Sequence, residues 1–296
     1  MSPTTKTLDS PPSSLEAYLR AGLGAIPGTG KLPFLAGGGG DIPDLELRLD
    51  EVEVDPERLA EYCKVCGFSV GGKLPVTYPH ILAFPLHMAL LTDARFPFPA
   101  IGLVHLENRI KQQRPIGTDE KLSLRVSASK LSPHPKGKTF ALLTEARVGD
   151  EVVWSSESVN LRRGKGGGDA EGAPAAAGVD VAELDAEAEW SLGGDLGRRY
   201  GGVSGDRNPI HLYGLTAKAF GFPRQIAHGM WSKARSLAQL DSRLPDAFEV
   251  EVAFKKPILL PAKVEFASRN ADGAIEFGVR DARKGIPHLA GVAKPL

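Results

Sequence analysis

The sequence predicts an α+β protein made of two similar blocks, and three observations support this. The hydrophobic pattern predicts the same order of elements in both halves of the sequence: a short helix, a loop, an apolar helix, then several strands of alternating apolar and polar residues. A Gly/Ala-rich stretch without periodicity, residues 163–178, separates the two runs. Short strings of residues also recur at matching offsets. Helices followed by runs of strands are typical of α+β architectures.

The domain boundaries follow from these shifts in composition. Residues 1–44 form an N-terminal extension, in which residues 1–14 are predicted to be disordered and residues 15–23 to form a short helix. The two blocks span residues 45–162 and 179–296, and the stretch between them is predicted to be a flexible linker.

Local signals place the elements of the first block. A strand begins at Leu45, and Asp55 is a predicted N-cap with Pro56 in the first helical position. The apolar run Ile81–Leu91 predicts a buried helix, with Pro85 a candidate for its first turn. Strands are predicted at residues 100–110, 121–129, 139–148 and 151–161.

The second block repeats this order. Asp195 is the predicted N-cap of a helix over Leu196–Val203, and a longer helix is predicted from near His228 to about Leu240. Strands are predicted at residues 248–254, 262–269, 274–280 and 288–293.

Composition excludes several classes of protein. Thirty-six basic and 36 acidic residues give no net charge, which argues against a dedicated nucleic-acid binder. Cys63 and Cys66 have the C-x-x-C spacing of a redox or half-zinc site, but they fall late in a predicted helix and favour buried thiols. The string Gly28–Lys31 lacks the remaining residues of a P-loop. No secretory signal or bilayer-spanning run is visible, so we expect a cytoplasmic protein.

The two blocks align as a sequence repeat. Tyr62–Phe68 matches Tyr200–Asp206 at the tyrosine, the valine, a small thiol or hydroxyl residue and the glycine. A Pro-Ile pair also precedes a Lys-Leu or Lys-Val pair at the same spacing in both blocks. In this register Phe68 stands opposite Asp206 and Lys73 opposite His211. If Asp206 and His211 perform chemistry, the first block cannot perform the same chemistry.

Asp206 and His211 are the leading candidates for that chemistry. They lie five residues apart with Pro209 between them, so we expect both on a tight loop after a helix. A carboxylate and an imidazole around one water form a general acid–base unit. Two alternatives stay open: the residues only shape the turn, or they bind a metal, for which a clear third ligand is missing.

Gly229 and His228 are the second candidate group. Gly229 is predicted at the start of a helix, where free amides and the helix dipole stabilise a developing negative charge. A glycine also lets a substrate approach the backbone. A simple helix start remains the alternative, and His228 is equally compatible with a structural role.

The string YGGVSGDRNPIH, with AHGM following it, closely resembles the signature of MaoC-like (R)-specific enoyl-CoA hydratases, or hydratase 2. The resemblance covers residues 179–296 strongly and 45–161 more weakly. It implies a double hotdog fold, in which each hotdog is a long helix wrapped by an antiparallel sheet, with a degenerate N-terminal copy.

The resemblance also implies roles for individual residues. Asp206 and His211 hold and activate the water, Asn208 helps to fix the loop, and the Gly229 amide polarises the thioester carbonyl. Ser204 is a weaker candidate near the pocket. The implied reaction is reversible hydration of trans-2-enoyl thioesters to (R)-3-hydroxyacyl thioesters in fatty-acid metabolism, without a redox cofactor or a metal.

Basic residues around this string suggest how the substrate carrier is held. Residues 195–243 contain eight basic and three acidic residues. Arg207, Arg224 and Lys233 are candidates for the phosphates of coenzyme A or for an acyl carrier protein. The list extends to Arg198, Arg199 and Arg235, and for each residue a solvated surface position is the alternative.

Two other functions remain open at this point. A hotdog thioesterase would hydrolyse the same substrates, and a non-catalytic subunit would only bind them. The intact GDRNPIH string argues against both. Two hotdogs in one chain already form a pseudo-dimer, so a monomer or a homodimer is expected. In the family that the sequence resembles, loss of a helix in the degenerate half makes room for longer chains, so the resemblance implies medium or long acyl groups.

Overall fold

The computed structural model describes residues 4–24, 36–167 and 175–296. The helices are α1 (Ser14–Gly24), α2 (Pro56–Cys66), α3 (Tyr78–Leu91), α4 (Leu196–Ser204), α5 (Pro209–Leu212), α6 (Gly214–Ala219) and α7 (Gly229–Leu240). The strands are β1 (Thr4–Leu8), β2 (Leu45–Val52), β3 (Leu103–Gln112), β4 (Leu122–Ala128), β5 (Ser132–His134), β6 (Gly137–Val148), β7 (Glu151–Arg163), β8 (Asp185–Leu192), β9 (Phe248–Phe254), β10 (Ala262–Ala271), β11 (Ala274–Asp281) and β12 (Pro287–Pro295).

The chain forms two compact units. The first consists of Met1–Val54, Pro79–Leu106 and Asp119–Gly172; the second consists of Asp55–Tyr78, Glu107–Thr118 and Ala173–Leu296. The second unit therefore includes α2 and the end of β3, which belong to the first sequence block.

The first unit is built on a sheet with the strand order β1-β2-β4-β6-β7, and β5 pairs with β6. The pairing is antiparallel except between β1 and β2. Helix α3 is apolar on nearly all sides, as expected for a fully enclosed helix. Its His87 Nε2 lies 2.8 Å from the Thr144 hydroxyl on β6, so the helix is tied to the sheet by a buried polar contact.

The predicted disorder of residues 1–14 is wrong for β1. Thr4–Leu8 pairs in parallel with Leu45–Leu49 of β2. Its threonines favour extended backbone, but its side chains are mostly exposed, so it shows no alternation of apolar and polar residues. Main-chain pairing supplies the order that the pattern of side chains does not reveal.

The predicted helix at residues 15–23 is confirmed as α1, which packs on α3. Ala17 and Ala21 form a buried cluster with Met88 of α3.

Helix α3 begins at Tyr78, so the interpretation of Pro85 as its first turn is wrong. The proline removes one helical hydrogen bond, and burial of the surrounding apolar side chains outweighs that cost.

The second unit is built on an antiparallel sheet with the strand order β3-β9-β12-β11-β10-β8. Helix α7 is its most buried helix, with Ala234 and Leu237 fully inaccessible to solvent. The indole of Trp231 on α7 donates a hydrogen bond to the Val65 carbonyl of α2 at 3.0 Å. Both predicted helices and the four predicted strands of the second block are confirmed, whereas β8 was not predicted.

Helices α2 and α4 end in the same way. Both stop at a glycine in the left-handed conformation, Gly67 at φ 84° and Gly205 at φ 82°. The cap amides donate to the carbonyls of Cys63 and Gly201, which occupy matching positions of the sequence repeat. This equivalence supports the predicted repeat.

Several remaining predictions have mixed outcomes. Cys63 and Cys66 are free and buried, as expected. Residues 168–174 of the predicted linker and Gly28–Lys31 lie outside the described residues. Within the predicted linker, Ala175–Gly178 forms a 3-10 turn whose Ala176 amide donates to the Glu251 carboxylate at 2.9 Å, so the prediction of a flexible linker is wrong for these four residues. Within the described ranges, no helix is long and apolar enough to cross a membrane.

Candidate active site

Asp206 lies at the reversal of the chain that follows α4. Gly205 turns the chain in the left-handed conformation, and the Asp206 amide donates to the Ser204 hydroxyl at 3.1 Å. The Asn208 amide in turn donates to Asp206 Oδ1 at 3.1 Å. These hydrogen bonds within the loop fix the orientation of the Asp206 carboxylate. The Asp206 side chain remains 29% exposed. It is therefore both oriented and accessible.

His211 lies on the single turn α5, so the expectation of a loop is correct for Asp206 and wrong for His211. Asn208 is the N-cap of α5, accepting from the Ile210 amide at 3.4 Å. Pro209 occupies the first helical position, where its missing N–H costs nothing. His211 Nδ1 lies 2.9 Å from the Ile226 carbonyl. Because a carbonyl only accepts, Nδ1 carries the proton and Nε2 keeps a free lone pair.

Two glycines allow α4 to approach this loop closely. A Cβ atom on Gly197 would lie 1.9 Å from the His211 carbonyl oxygen, and one on Gly201 would lie 2.8 Å from that of Asp206. Both clashes would be with backbone, which cannot move aside as a side-chain tip can. The absence of side chains at these positions therefore brings both candidate residues against α4.

His228 joins the candidate pair from a distant position in the sequence. It is the N-cap of α7, and its ring stacks on that of His211 at 3.7 Å between centroids with 26° between the planes. Its Nε2 donates to the Asp206 carbonyl at 3.0 Å and lies 3.8 Å from Asp206 Oδ2. The ring of Tyr200 lies 4.9 Å away. His228 therefore contacts both predicted catalytic residues.

Burial controls the protonation states in the cluster. Burial lowers the pKa of His211, although the negative charge of Asp206 and the bond to the Ile226 carbonyl oppose this. Burial and the neighbouring His211 lower the pKa of His228 to about 3. Burial likewise raises the pKa of Tyr200 well above its ordinary value. Near pH 7 the rings are neutral, and His211 is in the form that can accept a proton.

Gly229 begins α7 next to this cluster. The first internal bond of the helix runs from the Ser232 amide to the His228 carbonyl at 3.2 Å, so the amides before Ser232 have no acceptor within the helix. They lie at the positive end of the helix dipole. A Cβ on Gly229 would lie 2.9 Å from the Phe254 ring, which explains the need for glycine.

The predicted phosphate-binding residues divide into two groups. Arg207 and Arg224 are exposed, as expected. The prediction for Lys233 is wrong because its side chain is fully buried, and its amine contacts Asn108 Oδ1 at 2.6 Å and the Asn108 carbonyl at 3.0 Å. Burial lowers the pKa of Lys233. Arg235 is also unsuited to this role, since its guanidinium lies over Trp190 at 4.6 Å.

The structure adds a third residue to the open alternative of metal binding. Ligand-capable atoms of Asp206, His211 and His228 all lie within 4.8 Å of one another. However, His211 Nδ1 and His228 Nε2 contact carbonyls. The remaining nitrogen of His228, Nδ1, is enclosed and has no hydrogen-bond partner among the residues that the structure describes. Since imidazole binds metals through an unprotonated, accessible nitrogen, the contacts favour acid–base chemistry.

Sequence reasoning missed three contributors to the cluster. Gly197 was not singled out, and Tyr200 was noted only as part of the repeat and of the string YGGVSGDRNPIH, without a role of its own. The Ile226 carbonyl, which sets the tautomer of His211, is a backbone group that no residue type reveals. The close spacing of glycines in α4 was the available signal for a tight helix–loop approach.

Comparison with known proteins gives consistent results. Residues 182–289 match the family model described as a MaoC like domain. The chain is 36% identical over 285 residues to the Mycobacterium tuberculosis protein named 3-hydroxyacyl-thioester dehydratase X, covering 96% of this chain and 99% of that protein.

Solved structures show the same relationship. The crystal structure of HtdX of Mycobacterium tuberculosis superposes with a TM-score of 0.75 at 36% identity, covering 85% of this chain and 100% of that one. A second Mycobacterium tuberculosis protein, described as having a double hotdog fold, gives a TM-score of 0.53 at 14% identity over 87% of this chain and 98% of that one. The predicted double hotdog is thereby confirmed.

Proposed function

Because the chain belongs to the MaoC-like family, we propose that it catalyses the reversible hydration of trans-2-enoyl thioesters to (R)-3-hydroxyacyl thioesters. The observation that carries the proposal is the convergence of the Asp206 carboxylate and the His211 ring at the start of α7, where His228 contacts both. The name of the Mycobacterium tuberculosis relative describes the same reaction in the dehydrating direction.

In the proposed reaction, Asp206 and His211 bind one water near C3 of the enoyl group. The unprotonated Nε2 of His211 accepts a proton from the water while its oxygen bonds to C3. The electrons of the double bond move toward the thioester carbonyl, whose oxygen is stabilised by the first amides of α7 at Gly229. C2 then receives a proton from the protonated pair, and dehydration follows these steps in reverse.

The other predicted residues support this geometry in the proposal. Asn208 caps the turn that carries His211, and Ser204 accepts from the Asp206 amide. Neither residue has to touch substrate for these contacts to matter. The step moves one water and its protons and changes no net oxidation state, so it requires no redox cofactor, and the proposal assigns the activation of water to Asp206 and His211 without a metal.

Turnover of crotonyl-CoA and of a longer enoyl-CoA by the purified chain tests the proposal. We expect the enoyl-thioester absorbance to fall, the product to be the (R)-3-hydroxyacyl thioester, and no free thiol to appear. Release of coenzyme A thiol would instead identify a thioesterase. Binding of the thioester with no change in enoyl absorbance and no release of thiol would identify a non-catalytic subunit. Either of these two results would overturn the proposal.

A further inference from the structure

The segment that follows His211 exposes an unusual set of apolar side chains. Tyr213 is 55% exposed, Leu215 82% and Phe220 42%. Single exposed apolar residues are common on protein surfaces, but three within eight positions are not explained in that way. The fully buried Ala217 lies on the inner side of α6 and leaves Leu215 facing solvent.

Hydrogen bonds hold this segment in a defined conformation. The Thr216 hydroxyl donates to the carbonyls of Pro209 at 2.6 Å and Tyr213 at 2.9 Å. After α6, the Phe222 amide donates to the Ala217 carbonyl at 3.1 Å. The exposure of Leu215 is therefore a feature of a folded element that is tied to the turn carrying His211.

Basic residues surround the apolar side chains. Arg198 lies over the Tyr213 ring at 5.2 Å and donates to the Leu212 carbonyl at 3.0 Å. Lys218 follows Leu215 by three positions, which places both on one face of α6, and Lys218 and Arg224 are exposed. Residues 196–225 contain five basic residues and one acid, and that acid is Asp206. The surface thus combines exposed apolar groups with positive charge.

We infer that this surface, formed by Tyr213, Leu215, Lys218 and Phe220 with Arg198 and Arg224, docks an acidic acyl carrier protein that delivers the thioester to Asp206 and His211. The inference rests on the proposed function and names the carrier of its substrate. We call these six residues the α6 surface.

Charge and position together favour this partner. A protein with acidic side chains around an apolar contact complements the α6 surface in both respects. A second copy of the chain, paired through the same surface about a two-fold axis, would bring like charges together. The surface also begins two residues after His211, so a docked carrier lies next to the turn that presents the proposed base.

Paired substrates test the inference. The crotonyl group is supplied either on coenzyme A or on the phosphopantetheine arm of a purified acyl carrier protein, to the wild-type chain, Leu215→Asp and Lys218→Glu. We expect kcat/KM for the carrier-bound substrate to fall at least tenfold in both variants, mainly through KM, and to stay within about twofold for crotonyl-CoA. Ile286→Asp, at an apolar residue 40% exposed on another loop, is the matched control and should change neither value.

Several results would overturn the inference. Equal losses of kcat/KM on both substrates would show that the α6 surface supports the fold or binds the thioester itself. Unchanged turnover of the carrier-bound substrate would show that the α6 surface does not dock the carrier. Two further results would identify another partner if turnover of the carrier-bound substrate stays intact. Loss of binding to anionic lipid vesicles in Leu215→Asp would identify a membrane, and dissociation of a homodimer in the same variant would identify a second copy of the chain. Failure to hydrate even crotonyl-CoA would refute the proposed function, whereas hydration of crotonyl-CoA alone would refute only the docking.

Discussion

The protonation of His211 is set by a backbone carbonyl and by burial. The Ile226 carbonyl holds the proton on Nδ1, which leaves Nε2 unprotonated as the proposed base, and burial keeps the ring neutral. Sequence spacing identified the residue, but not the group that selects its tautomer.

The pH dependence of turnover should reflect this environment. Burial lowers the pKa of His211 from its ordinary 6.5, so the ring loses its proton-accepting form only at a lower pH. We expect the acidic limb of kcat/KM for crotonyl-CoA to have its midpoint below pH 6.5. A midpoint at or above pH 6.5, in buffers of constant ionic strength, would contradict the assignment of His211 as the base.

His228 provides a test of positioning as distinct from catalysis. His228→Gln retains a donor near the place of Nε2 but removes the ring, whereas His228→Phe retains a ring and removes the donor to the Asp206 carbonyl. Since that bond fixes the Asp206 loop, we expect His228→Phe to lower kcat about tenfold or more with little change in KM, and His228→Gln to lose less. Steady-state kinetics would measure both values. Equal losses in both variants would show that the donor is not the important feature.

At the scale of elements, α4 is placed by its glycines. Gly197→Ala forces a Cβ to within 1.9 Å of the His211 carbonyl, so α4 and α5 must separate. We expect a loss of stability of roughly 2 kcal/mol or more and a large loss of turnover, measured by urea unfolding and crotonyl-CoA hydration.

Gly202 provides the matched control in the same helix. A Cβ on Gly202 would have no atom of the described part of the chain within 4 Å. Gly202→Ala should therefore leave turnover unchanged and stabilise the chain by about 0.5–1 kcal/mol, because alanine is the better helix former. Similar behaviour of the two variants would contradict the role given to close packing at Gly197.

The elements that sequence reasoning found and missed differ in their physical signals. Helix α2 carries a complete start signal in Asp55 and Pro56, and strands such as β9 are apolar enough to be recognised. Strand β1 keeps mostly exposed side chains without alternation, so main-chain pairing defines it. Strand β8 alternates apolar and polar residues from Ala186 to Leu192, and that signal was overlooked in the sequence. Lys233 was misjudged because its charge suggested a surface position, whereas Asn108, far away in the sequence, offers it two buried oxygens.

At the scale of the whole chain, the sequence repeat predicts that the first copy lacks the proposed acid–base pair. Phe68, which matches Asp206, is buried, and Lys73, which matches His211, forms an exposed ion pair with Asp246 at 3.2 Å. Neither position in the first block can supply an acid–base pair. Of the two equivalent positions in the described residues, only that of the second block therefore carries the proposed catalytic pair.

Buried neutral histidines should make the fold sensitive to acid. Burial lowers the pKa of His87 and of His228 to about 3, from 6.5. Between these values only the unfolded chain binds the proton, so stability falls as the pH drops below 6.5, by about 2 kcal/mol for each histidine at pH 5. Urea unfolding at pH 7.5 and pH 5 measures the loss.

His87→Gln separates this effect from general acid denaturation. Glutamine can keep the contact with the Thr144 hydroxyl but does not titrate. The variant should show a smaller loss of stability between pH 7.5 and pH 5, by about 2 kcal/mol. The same loss as in the wild-type chain would show that His87 does not contribute.

The most direct test of the central claim is a double-mutant cycle of Asp206→Asn and His211→Ala on the kcat of crotonyl-CoA hydration. Asp272→Asn, between β10 and β11, and His134→Ala, on β5, control for the substitutions themselves. If the two residues act as one acid–base unit on one water, each single variant loses at least about a thousandfold, and the double variant loses little more than either. Losses that multiply, or a single variant that retains more than about a tenth of the wild-type rate, would contradict the account.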